Sequence, residues 1–377
     1  MQSPVWQGCG VICVGIWIGM TFFRGGFWRL RERLRVGPGF AASKVVVAAV
    51  IPARDEAGLI ERAVESLRKQ RFTGTLRITV ADDESSDGTG ARALGAGADR
   101  VIRVGTRPAG WKGKLWAVSE GVGAEEDSAE YFLLTDADIE YVSDGLLEAL
   151  LAKQREGFDL VSVMVRLCCE SAAEQFLIPA FVFFFFMLYP PGWVARKRGV
   201  AAAAGGCMLI RRETLERLGG IGSFRDALID DCALAGRVKA VGGRVWLGIS
   251  ELEIRSIRPY EHWAEIRMMI ARAAFSQLRH SAWLLAGTVA GLLLTYVMPV
   301  ALLFSGDRVA AGLGAAAWLM SAAIFLPTVR YYGAPRWTVF ALPAIACFYL
   351  FATVESAVNY WTGRGGAWKG RVQDELR

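Results

Sequence analysis

Apolar and polar positions alternate in two distinct ways along this chain. Short apolar runs broken by glycine and charge fill the middle, and long apolar runs lie towards both ends. Lys44–Ile51 (KVVVAAVI) is a continuous run rich in β-branched residues, the pattern of a strand buried on both faces of a parallel sheet. Glu56–Gln70 follows with helical spacing, Leu59, Ala63 and Leu67 falling on one stripe. Leu76–Ala81 predicts a second strand, the turn-rich Asp82–Gly88 breaks it, and Thr89–Leu94 begins another helix. A short strand at Arg100–Val104, a helix around Lys114–Val122 and a strand at Tyr131–Thr135 continue the alternation. Later, Gly205-Gly206 reads as a turn feeding a strand towards Arg212, and Cys232–Val241 as a helix. Strands and helices in alternation predict a doubly wound, Rossmann-like α/β domain. Such sheets bind ligands beyond the carboxyl ends of their strands, and Asp82-Asp83 and Asp136–Asp138 fall at those ends.

The long apolar runs predict membrane segments. Cys9–Phe23, extended by Val5 and Trp6, approaches the ~20 residues of a span. Arg24, Arg29, Arg31, Arg33 and Arg35 come directly after it, with no small-residue cleavage site, so an uncleaved signal-anchor is expected. The positive-inside rule keeps these arginines, and the α/β region behind them, in the cytoplasm. Ala282–Phe304, Val309–Leu326 and Thr338–Ser356 predict three transmembrane helices. Phe176–Tyr189 (FLIPAFVFFFFMLY) lies within the α/β region, where a full span would put the two halves of a single domain on opposite sides of the membrane. An interfacial helix at about 174–191 is therefore expected, with a buried core helix as the alternative.

The predicted organisation is an anchor with a basic juxtamembrane segment over 1–35 and an α/β domain over 41–260. An amphipathic interface segment over 261–281, transmembrane helices over 282–358 and a basic tail over 359–377 complete it. The tail conflicts with the span count. An odd number of spans after an outside N-terminus ends outside, whereas Arg364, Lys369, Arg371 and Arg377 favour the cytoplasm.

Composition sharpens this picture. Of 377 residues, 53% are hydrophobic and 21% charged, and mean hydropathy is +0.31, a balance that fits a globular part joined to membrane segments. The net charge of +6 is concentrated beside the first apolar run, which points to a membrane surface rather than nucleic acid. Seven cysteines, an odd number without a C-x-x-C pair, predict reduced thiols in a cytoplasm-facing protein. Two histidines, His262 and His280, are too few for a His-based zinc centre, so any metal is expected to be Mg²⁺ or Mn²⁺ held by oxygen.

The candidate chemistry sits at the strand ends. Tyr131–Glu140 (YFLLTDADIE) places Asp136 and Asp138 just beyond an apolar strand. Two such carboxylates can hold a divalent cation that neutralises charge building on a leaving diphosphate. A solvated turn is the plain alternative, because D-x-D by itself is common. In Pro52-Ala53-Arg54-Asp55-Glu56, Pro52 is expected to end the first strand and expose backbone to a nucleobase. The plain reading is a turn with Glu56 near a helix N-terminus. Asp82 and Asp83 can accept hydrogen bonds from uracil N3–H or ribose hydroxyls, while Asp87 and Thr89 read as turn and cap residues. Gly110-Trp111-Lys112-Gly113-Lys114 allows close backbone approach, and Lys114 can pair with a phosphate, although a loop with solvated lysines is also open. It is not a Walker P-loop, lacking the spacing and the Ser/Thr. Leu228-Ile229-Asp230-Asp231 supplies a general base: Asp231 is the candidate, Asp230 the alternative, and one of the two can be a helix cap.

In this order PARDE, DDESSDGT, GWKGK, TDAD, GGCMLIRR and IDD resemble a family 2 glycosyltransferase. Phe23–Arg29 (FRGGFWR), Phe181–Pro190 (FVFFFFMLYP), Leu228–Leu234 (LIDDCAL) and Phe275–Ser281 (FSQLRHS) resemble more narrowly the hopene-associated members, found in bacterial hopanoid-synthesis gene clusters. The resemblance implies a GT-A fold, a UDP-sugar donor, Mg²⁺ or Mn²⁺, and a lipid acceptor of the hopanoid class. It further implies a multi-pass protein of the bacterial inner membrane with its catalytic domain in the cytoplasm. Asp136 and Asp138 would form the metal–diphosphate motif, and Pro52, Ala53, Arg54, Glu56, Asp82, Asp83 and Lys114 would face the nucleotide sugar. Asp231 would be the base, and Gly205, Gly206, Gln277 and Arg279 would line or gate the acceptor path. Processive members carry Q-x-x-R-W. Here Gln277-Leu278-Arg279-His280-Ser281 has the arginine one place early and no tryptophan, which favours transfer of a single sugar. Polyprenyl phosphate or a glycerolipid is the alternative acceptor, and a non-catalytic nucleotide-sugar-binding membrane component the alternative role.

Overall fold

The computed structural model describes residues 3–35, 44–125 and 129–365. They divide into two compact units. One comprises Arg31–Cys168 and Pro191–Arg258; the other comprises Cys169–Pro190 and the segments before Arg31 and after Arg258.

The first unit is the α/β domain. Its strands are β1 (Val46–Ala53), β2 (Thr75–Asp82), β3 (Arg100–Arg103), β4 (Tyr131–Thr135), β5 (Ile139–Tyr141), β6 (Leu160–Met164), β7 (Cys207–Arg211), β8 (Val245–Ile249) and β9 (Ile254–Ser256). Seven of them form one sheet in the order β3-β2-β1-β4-β7-β6-β8, and β5 and β9 form a separate two-stranded ribbon. β1 pairs in parallel with β2 and β4, β2 with β3, and β6 with β8; β7 alone runs antiparallel, to β4 and β6. Val47, Ala49, Ile51, Ile78, Val80, Leu133, Val161 and Leu209 have no exposed surface. Burying a side chain of the size of Val or Leu contributes about 1.5–3 kcal/mol, so the continuous apolar runs pin the sheet's centre. The helix Gly113–Gly123 lies close over β1. A Cβ on Gly121 would come within 2.5 Å of Val50 Cγ1, so only glycine permits that approach.

Two predicted boundaries are corrected. β1 does not end at Pro52: Pro52 pairs with Ala81 and Ala53 with Asp82. Its pairing with β4 stops at Val50, so the N–H that proline lacks would have pointed to a side without a ladder partner. The helix predicted from Glu56 starts at Ile60. The backbone N–H groups of Asp55, Glu56 and Ala57 are taken by Ser85 Oγ, Thr89 Oγ1 and Asp87 Oδ2, and Asp55 sits in the left-handed region at φ 48°. That cross-brace to the turn after β2 delays the helix. From Ile60 onward Ile60, Ala63, Val64 and Leu67 are buried on one stripe.

The second unit is helical. Five helices are long and apolar enough to cross a membrane: Pro4–Phe23, Ala172–Arg196, Ala282–Leu302, Arg308–Tyr332 and Arg336–Trp361. Large apolar side chains stand outward on them or at their ends, with Trp283 88%, Phe304 84% and Phe23 76% exposed, a distribution that water disfavours. The segment expected to be interfacial forms the helix Ala172–Leu188, capped by Ser171 and Glu174 in a capping box. Leu177, Ile178, Ala180, Val182, Phe183 and Phe186 are buried. The Phe183 ring lies 5.2 Å from Phe27 and 5.1 Å from Phe325, and Phe184 lies 5.0 Å from Tyr349. Of the 261–281 segment, Trp263–Gln277 is helical and packs on Leu342–Trp361, joined by Arg267–Glu355 at 2.8 Å and by Phe275 N–H to Ser356 Oγ at 3.0 Å. The predicted tail lies outside the described residues from residue 366 on.

Candidate active site

The carboxyl ends of β1, β2 and β4 gather most of the predicted residues of the α/β unit. β4 delivers Asp136 directly, and Thr135 fixes its end by donating from Oγ1 to Gly206 O at 2.7 Å. Lys114, in the first turn of Gly113–Gly123, places Nζ 2.8 Å from Asp136 Oδ1 and 3.2 Å from Asp230 Oδ2. Asp230 and Asp231 lie in the first turn of the helix Asp230–Ala240, where the macrodipole favours negative charge. That helix starts at Asp230 rather than Cys232, so both acids are inside it. Gly205 stands beside this cluster: a Cβ there would lie 3.4 Å from Asp231 Oδ2 and 3.6 Å from Lys114 Nζ. Gly206 is packed against Val165 and Ile139, with contacts of 3.1–3.2 Å for an added Cβ. Pro52, Lys114, Asp136, Gly205, Met208 and Asp230 line one narrow cleft.

Asp138 is held from the other side. The β5–β9 register sets Ile139 opposite Ser256, which brings Ser256 Oγ within 2.6 Å of Asp138 Oδ2. Arg258 Nε lies 3.5 Å from the same oxygen, and its Nη2 donates to both oxygens of Glu56 at 2.7 Å. Ile257 N–H donates to Asp138 O at 2.8 Å. Sequence reasoning missed Ser256 and Arg258. They lie in a short polar segment with neither periodicity nor motif, so no signal marked them.

At the end of β2, Asp82 Oδ1 accepts from Ser85 N–H at 2.9 Å. Asp83 is buried, and Arg54 Nη1 donates to its backbone oxygen at 2.8 Å and to Oδ2 at 3.3 Å. Asp87 accepts from Ala57 N–H at 2.9 Å, Thr89 N–H at 3.1 Å and Thr89 Oγ1 at 2.5 Å, the turn role expected of it. Gln277 and Arg279 belong to the helical unit. There the Gln277 amide donates to Tyr189 OH, and Arg279 turns the chain at φ 53°.

The cluster's electrostatics follow from this packing. Desolvation and the charge of Asp230 push the Asp231 carboxyl up to about 7, against the pull of Lys114. Desolvation raises Asp136 too, opposed by Lys114 and reinforced by Asp138 and Asp230. Desolvation would lower the Lys114 ammonium, but Asp136, Asp230 and Asp231 outweigh it and hold the proton firmly. Five carboxylates, counting Glu56, gather around Lys114 and Arg258 and leave the site anionic.

Among the described residues no group of three His, Cys, Asp or Glu side chains is arranged to hold a metal by itself. Asp136 and Asp138 nevertheless fit a shared site. Their oxygens are hard donors, and Mg²⁺ or Mn²⁺ on one or two carboxylates completes its shell from phosphate and water.

Residues 48–219 match the sequence model of Glycosyl transferase family 2. A search of curated proteins returned no match. Among solved structures, a mannosyltransferase of Pyrobaculum calidifontis in complex with GDP-Man and Mn²⁺ superposes at a TM-score of 0.57. Its sequence identity is 17%, with 94% of this chain and 98% of that one covered. Glucosyl-3-phosphoglycerate synthase from Mycobacterium tuberculosis matches at 0.41 with 21% identity over 65% of this chain and 87% of its own. Mannosyl-3-phosphoglycerate synthase from Rubrobacter xylanophilus matches at 0.43 with 17% identity over 67% and 82%. The α/β unit is therefore a GT-A-like glycosyltransferase domain with a mostly parallel central sheet. The chain carrying it is a glycosyltransferase.

Proposed function

We propose that this chain transfers a single sugar, with inversion, from a nucleoside diphosphate sugar to a lipid alcohol at a membrane. The observation that carries the reading is the Lys114 ammonium shared between Asp136 at 2.8 Å and Asp230 at 3.2 Å. It joins the acid pair beyond β4 to the acid pair that can take a proton. Asp136 and Asp138 would hold a divalent cation, Mg²⁺ or Mn²⁺, whose chemistry is to neutralise the leaving diphosphate. Lys114 adds positive charge to the same place. Arg54, Glu56 and Asp83, with the backbone of Pro52 and Ala53, bind the nucleotide, and Asp82 shapes the turn beside them. The Pyrobaculum mannosyltransferase, solved with GDP-Man and Mn²⁺, supports a nucleotide-sugar donor and a divalent cation; UDP as the nucleotide rests on the resemblance.

Asp231 is the base. Lys114 pairs with Asp230 and not with it, and Asp231 titrates near 7, so it can accept the acceptor's hydroxyl proton at neutral pH. Gly205 keeps the space beside it open. The five apolar helices support a membrane location, with the domain on the cytoplasmic side where the Arg24–Arg35 cluster lies, in the bacterial inner membrane. A hopanoid is the acceptor that the narrower resemblance implies, with Gln277 and Arg279 near its path. Incubating the purified chain with UDP-sugars and GDP-mannose, Mn²⁺ and total bacterial lipid tests this. A new glycolipid made from one donor is expected; failure with every donor and lipid fraction would sink the reading.

A further inference from the structure

Arg258 belongs to no motif, yet it ties the ends of two strands together. It closes the segment after β9, holds both Glu56 oxygens at 2.7 Å, and reaches Asp138 Oδ2 at 3.5 Å. Ser256 Oγ donates to that same Oδ2 at 2.6 Å. The Ser256 hydrogen bond and the Arg258 ion pair converge on one oxygen of Asp138, and Oδ1 accepts no hydrogen bond among the described residues. A carboxylate pinned by one oxygen presents the other in a fixed direction, which is how outer partners orient a metal ligand.

We infer that Arg258, with Ser256, is a positioning residue that aims Asp138 Oδ1 at the cation. This rests on the proposed role of Asp138 as a metal ligand. Two effects of the guanidinium oppose each other. Its charge repels a divalent cation, whereas its planar guanidinium, braced on Glu56, holds Nε beside Asp138 and fixes the ligand by ion pairing. Glu56 decides between them, because its carboxylate at 2.7 Å already neutralises the guanidinium. Positioning therefore dominates, and removing Arg258 loosens the metal.

The test is a titration of Mn²⁺ into the purified full chain with saturating UDP or GDP, reading free Mn²⁺ by its electron paramagnetic resonance signal. Arg258→Gln is expected to weaken Mn²⁺ binding about 10–100-fold. Arg258→Lys, which keeps the charge but loses the planar guanidinium, weakens it as well. Ser256→Ala removes the other partner of Oδ2 and weakens it independently, so the inference stays testable if the arginine variants do not fold. Affinity within twofold of the unmodified chain in all three, or tighter binding in Arg258→Gln, would overturn the inference. Asp138→Asn is the reference: if it binds Mn²⁺ as well as the unmodified chain, the metal-site reading itself fails. Loss in Asp138→Asn without loss in the other variants removes only the positioning role.

Discussion

β2 and β4 flank β1, run the same way, and each ends in a pair of acids, but the two pairs are held differently. Beyond β2 one partner is a local backbone amide and the other a cation from the neighbouring strand end. Asp82 takes the N–H of Ser85 three residues on, and Asp83 is covered by Arg54 from the adjoining strand end. Beyond β4 the partners are all side chains: Lys114 on Asp136, and Arg258 and Ser256, from far along the chain, on Asp138. Backbone amides build a turn and stay where the chain puts them. Side chains brought in from another element instead pin one oxygen of a carboxylate and leave the other for a ligand, as Ser256 and Arg258 do on Asp138. Sequence alone, which gives both strands two acids, does not show which acid is held by a backbone turn and which by distant side chains; the partners of Asp82 and Asp138 do.

The largest contrast comes from removing one charge at each strand end. Asp138→Asn keeps an oxygen for Ser256 but gives up the anionic metal ligand. Its kcat is expected to fall by about 10²–10³-fold, the size seen when one electrostatic stabiliser of a transition state is lost. Sugar transfer to lipid, measured beside a melting curve that stays within a few degrees, checks this. Full retained turnover would move the metal away from β4.

A smaller effect, with a sharper shape, belongs to Asp231. A base raised to about 7 must lose its proton before it can act, so kcat/KM is expected to climb about tenfold per pH unit below 7 and level off above. Asp231→Asn is expected to lower activity by about 10²-fold, the low end of what a general base contributes, and to flatten what remains. The sign for stability is opposite. The folded carboxyl binds its proton more tightly than the unfolded one, so stability is lost as pH rises from about 4 through 7. Asp231→Asn is therefore expected to melt higher than the unmodified chain at pH 8. A rate profile with its midpoint near 4 would transfer the base role elsewhere.

Much of the site is legible in residues whose neighbours are close in sequence or fixed by a buried strand. KVVVAAVI and YFLLT announce β1 and β4 because nothing but a buried sheet suits such runs, and Asp136 follows from where β4 ends. Lys114 and Asp230 meet Asp136 because the helices that carry them begin at the same edge of the sheet. Arg258 and Ser256 were illegible for the converse reason. β5 and β9 are three residues each, too short for a period, and their pairing joins Ile139 to Ser256 across more than a hundred residues. Pro52 misled because proline ends a strand only where its missing N–H faces a neighbour, and β4 had already left. The start of the helix at Ile60 was hidden too, since Ser85, Asp87 and Thr89 take the N–H groups that a sequence pattern assigns to no one.

Asp83→Asn probes the turn side of the comparison at intermediate size. Its carboxylate is buried against Arg54, and in the proposed site it faces the nucleotide, away from the reacting bond. Donor KM is expected to rise about fivefold to tenfold, the cost of one charge-assisted hydrogen bond at about 1–1.5 kcal/mol, with kcat changed less than twofold. A fall in kcat of the size expected for Asp138→Asn would mean that both strand ends serve the chemistry.

Asp82→Asn should do least of all. The Ser85 N–H at 2.9 Å needs an acceptor, not a charge, and the asparagine carbonyl supplies one in the same place. Turnover and donor KM are expected to stay within about twofold and stability within about 0.5 kcal/mol. Asp82→Ala, which strands that N–H, is expected to cost about 1 kcal/mol of stability. The two substitutions separate the roles that an acid can have at this strand end. If Asn is silent and Ala only destabilises, Asp82 is a turn residue, and the nucleotide is read by Asp83 beside it. If Asn alone raises donor KM tenfold, the charge of Asp82 reaches the nucleotide, and its bond to Ser85 serves to aim the second oxygen, as Ser256 and Arg258 aim that of Asp138. Both strand ends would then use one device, a carboxylate pinned by one oxygen and presented by the other, and would differ only in the ligand it meets.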